Sequence, residues 1–206
     1  MQSYAGRGQT YLDIKIHKSY FPTVKNGICL ECGALDGERL SVSKAFEEIG
    51  WKSINIEADR FSFLKLCINR PDSINLHYAL SDKDNETLTI QCSKKHPKLS
   101  YIYDGEPNIE SFPVMSITYR KLVKLLNLDH LNLFILDVEE HEPNVIRGMR
   151  NCNILPDIFC IEAHTKEELK IIEEELKELK EEYVLSSKRW QNYIFKKASF
   201  SKLTCL

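Results

Sequence analysis

Two carboxylates, each closing a short apolar run, and the glycines that follow the first of them are the residues of this chain best suited to chemistry. Ile28-Cys29-Leu30-Glu31-Cys32 is an apolar run with an acid near its end, and Gly33-Ala34-Leu35-Asp36-Gly37 follows it directly. Glycine tolerates positive φ and lets the backbone come close to a ligand. A helix starting beyond such a turn presents unpaired N–H groups and the positive end of its dipole. Glu57 lies 24 residues after Gly33 and closes a second run, Ser53-Ile54-Asn55-Ile56. An acid at that place grips a ribose diol in doubly wound folds. The turn lacks the G-x-G-x-x-G pattern that cradles a pyrophosphate, which speaks against a nucleotide-dependent oxidoreductase. A ligand with a ribose and a cationic or zwitterionic tail, such as S-adenosylmethionine, suits E-x-G-x-x-x-G better.

The elements that must position these groups follow from periodicity. Gln9 to Tyr20 reads as a helix or loop, 28–32 as a strand and 41–49 as a helix with Val42, Phe46 and Ile49 on one face. Residues 52–57 form a second strand. The helix 60–69 has Phe61, Leu64 and Ile68 as its expected buried stripe, and 74–79 is a third strand with Leu80-Ser81-Asp82 as its exit loop. Thr87 to Cys92 alternates like a strand. Residues 93–112, with Pro97, Gly105 and Pro107, are long enough for a lid or an acceptor loop. A short strand at 114–118 and a helix at 119–126 follow.

Residues 131–139 are apolar almost throughout and end in Asp137 and Glu139, as a central parallel strand should. A helix at 143–149, a buried strand at 157–163, a charged amphipathic helix at 165–182 and strands at 183–186 and 192–197 complete the chain. Alternation of strand and helix predicts one α/β domain over 1–206: a Rossmann-like, doubly wound, mostly parallel seven-stranded sheet with a closing antiparallel hairpin, preceded by an extension over 1–26. Ligands of such sheets bind outside the carboxyl ends of the strands, which here carry Glu31, Glu57, Ser81, Asp137, Glu139 and Glu162.

Composition sets the bounds. A net charge of −2 gives no general pull toward nucleic acid or an anionic membrane. No apolar run is long enough to span a bilayer. Seven cysteines, an odd and scattered set with no apolar leader, point to reduced thiols and a cytoplasmic setting. Cys29 and Cys32 make a C-x-x-C, but three residues apart on a strand they face opposite sides, so no metal site is assigned.

Leu30-Glu31-Cys32-Gly33-Ala34-Leu35-Asp36-Gly37 resembles the cofactor loop of the FkbM-type S-adenosylmethionine-dependent methyltransferases, with Glu31 in place of the commoner aspartate. Gly50-Trp51 followed by Ile54 to Glu57 is similar to that family's second strand, and Ala79-Leu80-Ser81-Asp82 to its adenine-side loop. Asp137-Val138-Glu139-Glu140-His141-Glu142, then Val145-Ile146-Arg147-Gly148, resembles its D-V-E-G signature, with Glu140 where a glycine is usual. The resemblance spans roughly 27 to 197. It implies the class I methyltransferase fold, S-adenosylmethionine as cofactor, and Glu31, Gly33, Ala34, Asp36, Gly37, Glu57, Ala58, Ser81 and Asp137 as the residues that hold it. It also implies methylation of a hydroxyl on a small molecule or glycan. A binding or scaffold protein that keeps the fold is the alternative.

Methyl transfer to a hydroxyl needs an aligned oxygen and a group to take its proton. Asp137, at the end of the central strand, and His164, directly after the next one, are the catalytic candidates.

Overall fold

The computed structural model describes residues 11–92, 100–102 and 111–201. Its main sheet takes strands β1 (Ile28–Cys32), β2 (Lys52–Glu57), β3 (Ile74–His77), β8 (Leu133–Leu136), β9 (Ile158–Glu162), β10 (Tyr183–Arg189) and β11 (Asn192–Lys197) in the order β10-β11-β9-β8-β1-β2-β3. β11 runs antiparallel to both β9 and β10, and the pairs from β3 through β9 are parallel. The closing hairpin therefore contributes one antiparallel strand to the sheet. Strand order reverses between β1 and β8, and a crevice opens at that point on the carboxyl side.

Side chains alternate across the sheet with the two-residue period of a strand. Leu30, Ile54, Phe134, Leu136, Phe159 and Ile161 enter one core with Leu122, Val145 and Ile172 from α4 (Tyr119–Leu125), α5 (Glu142–Arg147) and α6 (Lys166–Lys177). Cys29, Leu133, Ile135, Ile158 and Cys160 enter the opposite core with Leu12 and Ile16 of α1 (Leu12–Tyr20) and Phe46 of α2 (Ser43–Glu48). Cys29 and Cys32 fall on opposite faces as unpaired buried thiols.

Two expectations need correction. The stretch 74–82 is not one strand with an exit loop. β3 stops at His77, and β4 (Ala79–Ser81) joins a second sheet in the order β4-β7-β5-β6, with β5 (Thr87–Cys92), β6 (Ser100–Ile102) and β7 (Ser111–Thr118). Within the expected lid 93–112, β6 and the first residues of β7 are strand, and 93–99 and 103–110 lie outside the described residues. The second correction concerns α3 (Arg60–Asn69). Phe61, Leu64 and Ile68 are exposed, and Leu66 is its buried residue. Two features turn the helix this way: Leu66 and the Arg70 stem pack under the glycine turn, and Phe61 lies edge-on to Phe112 of β7.

Candidate active site at the carboxyl rim

A cavity of about 320 Å³ lies along the carboxyl ends of β2, β1, β8 and β9, within the size range of small-molecule sites. At one end its wall is Glu57, Ala58, Asp59 and Ser62 with the apolar Tyr78, Ala79 and Leu80. At the other it is Asp137, Glu139, Glu162, His164 and Asn192.

The glycine turn forms the floor. Gly33 has φ +84°, and a Cβ there would stand 1.7 Å from the Asp137 carbonyl oxygen, so only glycine lets β1 and β8 close on each other. Gly33 and Ala34 donate their N–H groups to the Ile56 carbonyl, which ties the turn to β2.

Glu57, 7% exposed, accepts the Leu35 N–H and the Asp59 N–H at 2.7 Å each, one on either oxygen. A carboxylate has about four acceptor positions, so each oxygen keeps one for a hydroxyl. Burial pushes the Glu57 carboxyl up to about 7 against the pull of the Asp59, Leu35 and Ala58 backbone N–H groups.

Glu31 is built differently. Its Oε2 accepts the Ser41 and Ser43 hydroxyls at 2.6 Å each, and its Oε1 accepts the Val42 N–H at 2.8 Å and the Ser43 N–H at 3.4 Å. These bonds tie the carboxylate to the start of α2. Glu31 also lines the cavity. Arg70, fully buried, donates to both serine hydroxyls and to Ser53 Oγ, and pairs with Glu47.

Three expected cofactor residues do not line the cavity: Asp36, Gly37 and Ser81. Asp36 Oδ1 accepts the Glu38 and Arg39 N–H groups and shapes the turn. Gly37, with φ +75°, makes room for the side chains of Leu66 and Arg70. The Ser81 hydroxyl lies 3.2 Å from Asp82 and 3.1 Å from His141 Nε2, and its neighbours Ala79 and Leu80 line the cavity instead.

At the far end the Asp137 and Glu162 carboxyls share a hydrogen bond. Burial, then the Glu162 charge, holds the Asp137 proton well above the usual carboxylate range. Burial raises the Glu162 carboxyl as well, so the pair holds a proton between them, kept by the more strongly raised Asp137. His164 Nε2 lies 3.6 Å from Glu162 Oε2 and 3.8 Å from Glu139 Oε2. The turn leading away is strained, with Glu139 at φ 54° and Glu140 at φ 74°, both left-handed without being glycine. Sequence reasoning missed Ser41, Ser43, Arg70 and Asn192. A Ser-x-Ser after a glycine turn is a detectable cap signal; nothing marks Asn192.

This strand order, with a cavity at the reversal point, defines a class I methyltransferase. The sequence matches the model of the methyltransferase FkbM domain over residues 31–183. The chain belongs to the FkbM methyltransferase family, whose cofactor is S-adenosylmethionine. A search of curated sequences finds no match. Among solved structures, a ribosomal protein L11 methylase from Lactobacillus delbrueckii subsp. bulgaricus aligns with a TM-score of 0.52 and 13% identity, covering 92% of this chain and 77% of that one. A TehB-like SAM-dependent methyltransferase from Corynebacterium glutamicum gives 0.51 and 9%, covering 92% and 89%. A putative methyltransferase, yhhF, from Escherichia coli gives 0.50 and 14%, covering 92% and 87%. At these identities the likeness is one of fold.

The residues present fit the cofactor. Glu57 has open acceptor positions for a ribose diol, and Ala58, Ala79 and Leu80 supply apolar wall beside it. The lining carries Glu31, Glu57, Asp59, Asp137, Glu139 and Glu162 against Arg39, an excess that suits a ligand with sulfonium and ammonium charges. No group of side chains able to hold a metal ion occurs among the described residues.

Proposed function

We propose that this chain methylates a hydroxyl oxygen on a small molecule or glycan in the cytoplasm. The observation that carries the reading is the charge of the cavity wall. Its Asp137–Glu162–His164 end has carboxylates to take a proton, and among the described lining residues Arg39 alone is a fixed cation. Such a wall repels a polyanion, which disfavours nucleic acid as acceptor. Free buried thiols at Cys29, Cys32, Cys152 and Cys160 fit a reducing compartment.

When bound, the cofactor supplies an electrophilic methyl group. Glu57 takes the ribose hydroxyls, the Gly33–Ala34 turn holds the backbone near the ligand, and Ala58 packs beside it. Asp137 and His164 belong to the acceptor end.

Calorimetric titration with S-adenosylhomocysteine, with NADH as control, tests the cofactor half. Wild type binds the first at micromolar level and not the second. Glu57→Ala loses two charge-assisted hydrogen bonds, at about 1.5–3 kcal/mol each, and with them roughly a hundredfold in affinity. Methyl-labelled cofactor incubated with monosaccharides, other polyols and RNA tests the acceptor half. Label on RNA and on no polyol sinks the acceptor reading; absence of homocysteine-adduct binding sinks both.

A further inference from the structure

Glu162 occupies the position at the acceptor end that neither catalytic candidate fills. It closes β9, is 6% exposed, and still lines the cavity. Asp137 approaches it from β8 and donates a hydrogen bond. His164 stands 3.6 Å away, with its side chain 33% exposed, and so connects Glu162 to solvent. Asn192 is its register partner on β11, 7% exposed and also on the cavity wall. The Asn192 Oδ1 accepts the Cys160 thiol at 3.5 Å, and among the described residues its amide nitrogen has no partner. An amide donor and a carboxylate on the same cavity wall make a pair suited to a hydroxyl: the amide donates to its oxygen and the carboxylate accepts its proton.

We infer that Glu162 is the proton acceptor for the methylated hydroxyl, that Asp137 positions it, and that His164 carries the proton out. The inference rests on the methyltransferase reading above. The acceptor oxygen forms its bond to the methyl carbon as the carbon–sulfur bond breaks, and that electron pair returns to sulfur. The hydroxyl proton passes to the Glu162 carboxylate, then to His164 and bulk water. Asp137 already bears a proton directed at Glu162, so it fixes the carboxylate and does not compete for the new one. The other charges facing Glu162 are Glu139 and Glu142 from the turn after β8 and the start of α5, and Glu168 from α6. Each of these carboxyls, when ionised, favours a proton arriving there.

The test needs no knowledge of the acceptor. Sinefungin carries an ammonium where the cofactor carries its methyl group; S-adenosylhomocysteine carries nothing there. The ratio of their affinities reports the charge facing the transferred methyl. Wild type is expected to prefer sinefungin at least tenfold. Glu162→Gln, which keeps the shape, brings the preference to within twofold while homocysteine-adduct affinity changes by less than threefold. Asp137→Asn weakens both ligands and retains at least a threefold preference, because an amide still donates to Glu162. A preference that survives Glu162→Gln, or vanishes in Asp137→Asn alone, overturns the assignment. Equal weakening of both ligands by Glu162→Gln overturns it too, since that is a fold or cofactor-tail effect. Wild type that binds S-adenosylhomocysteine without preferring sinefungin does the same. Wild type that binds neither ligand defeats the methyltransferase reading itself.

Discussion

Glu31 and Glu162 end strands on either side of β8 and are buried alike, at 4% and 6% exposure, in opposite surroundings. Glu31 accepts from Ser41, Val42 and Ser43, and the two serine hydroxyls are backed by the buried Arg70. Glu162 shares one hydrogen bond with Asp137 and otherwise faces Glu139, Glu142 and Glu168, with His164 3.6 Å away. A buried charge costs several kcal/mol unless it is paired and hydrogen-bonded. The first arrangement meets that cost locally, so it is architecture. The second meets it only in part, through the Asp137 hydrogen bond, and the surrounding fold must carry the rest. Where a fold tolerates such a debt beside a cavity, chemistry is the physical reason to look for.

The largest effect that sharpens this contrast is expected at Arg70. Arg70→Met fills the volume but leaves Glu47 without its cation and removes the guanidinium donor from the Ser41, Ser43 and Ser53 hydroxyls, of which Ser41 keeps the Lys44 N–H. Removing one partner of a buried pair costs about 3–5 kcal/mol. For a domain of this size the melting temperature then falls by roughly 10 °C or more. Glu162→Gln is expected to move it by less than about 3 °C. Equal shifts in calorimetry would erase the distinction between the two carboxylates.

Much of this rim was legible in sequence because its signals are local. The strand–glycine–acid order gives the turn, and the apolar run before Asp137 gives the central strand; both need only residues close in the chain. The anchoring of Glu31 was not legible because its donors, Ser41 and Ser43, act from the next element, and Arg70 from the one after β2. α3 was misread because periodicity identifies a face and not its direction. Phe61, Leu64 and Ile68 do share one face, but Leu66 and the Arg70 stem decide which side meets the core. β4 was read as a loop because a three-residue strand carries no period, and its partner β7 lies more than thirty residues away.

Glu142 extends the contrast to pH. It is 5% exposed, its Oε1 accepts the Val138 N–H at 2.8 Å, and burial raises its carboxyl to about 7. The folded state thus binds this proton more tightly than the unfolded chain, whose carboxyl titrates near 4.5. Stability falls as pH rises between those values, and the loss is complete above the folded one. Glu142→Gln keeps an acceptor for Val138 and cannot ionise. It is expected to match wild type near pH 5 and to exceed it at pH 8 by an amount on the order of 1–3 kcal/mol. Urea titrations at the two pH values measure this directly. A constant difference across the range would mean that Glu142 is charged and well solvated, and that the acidic end is less costly than its geometry implies.

The smallest effect separates strain from charge. Glu140 is exposed, makes no cavity contact and holds φ 74°, a left-handed conformation that favours glycine. A left-handed residue with a Cβ costs about 1–2 kcal/mol, and glycine gives back part of that through its greater freedom when unfolded. Glu140→Gly should therefore stabilise the protein by roughly 0.5–1 kcal/mol, about 2–3 °C. S-adenosylhomocysteine affinity should stay within twofold, because the turn keeps its path and Glu139 its place. If stability rises as expected but affinity falls tenfold, the strained turn is holding Glu139 against the cavity, and backbone strain joins charge as a cost carried at the acceptor end. If neither moves, the unfavourable energy of this rim resides in its carboxylates, and Glu31 and Glu162 remain the right pair to compare.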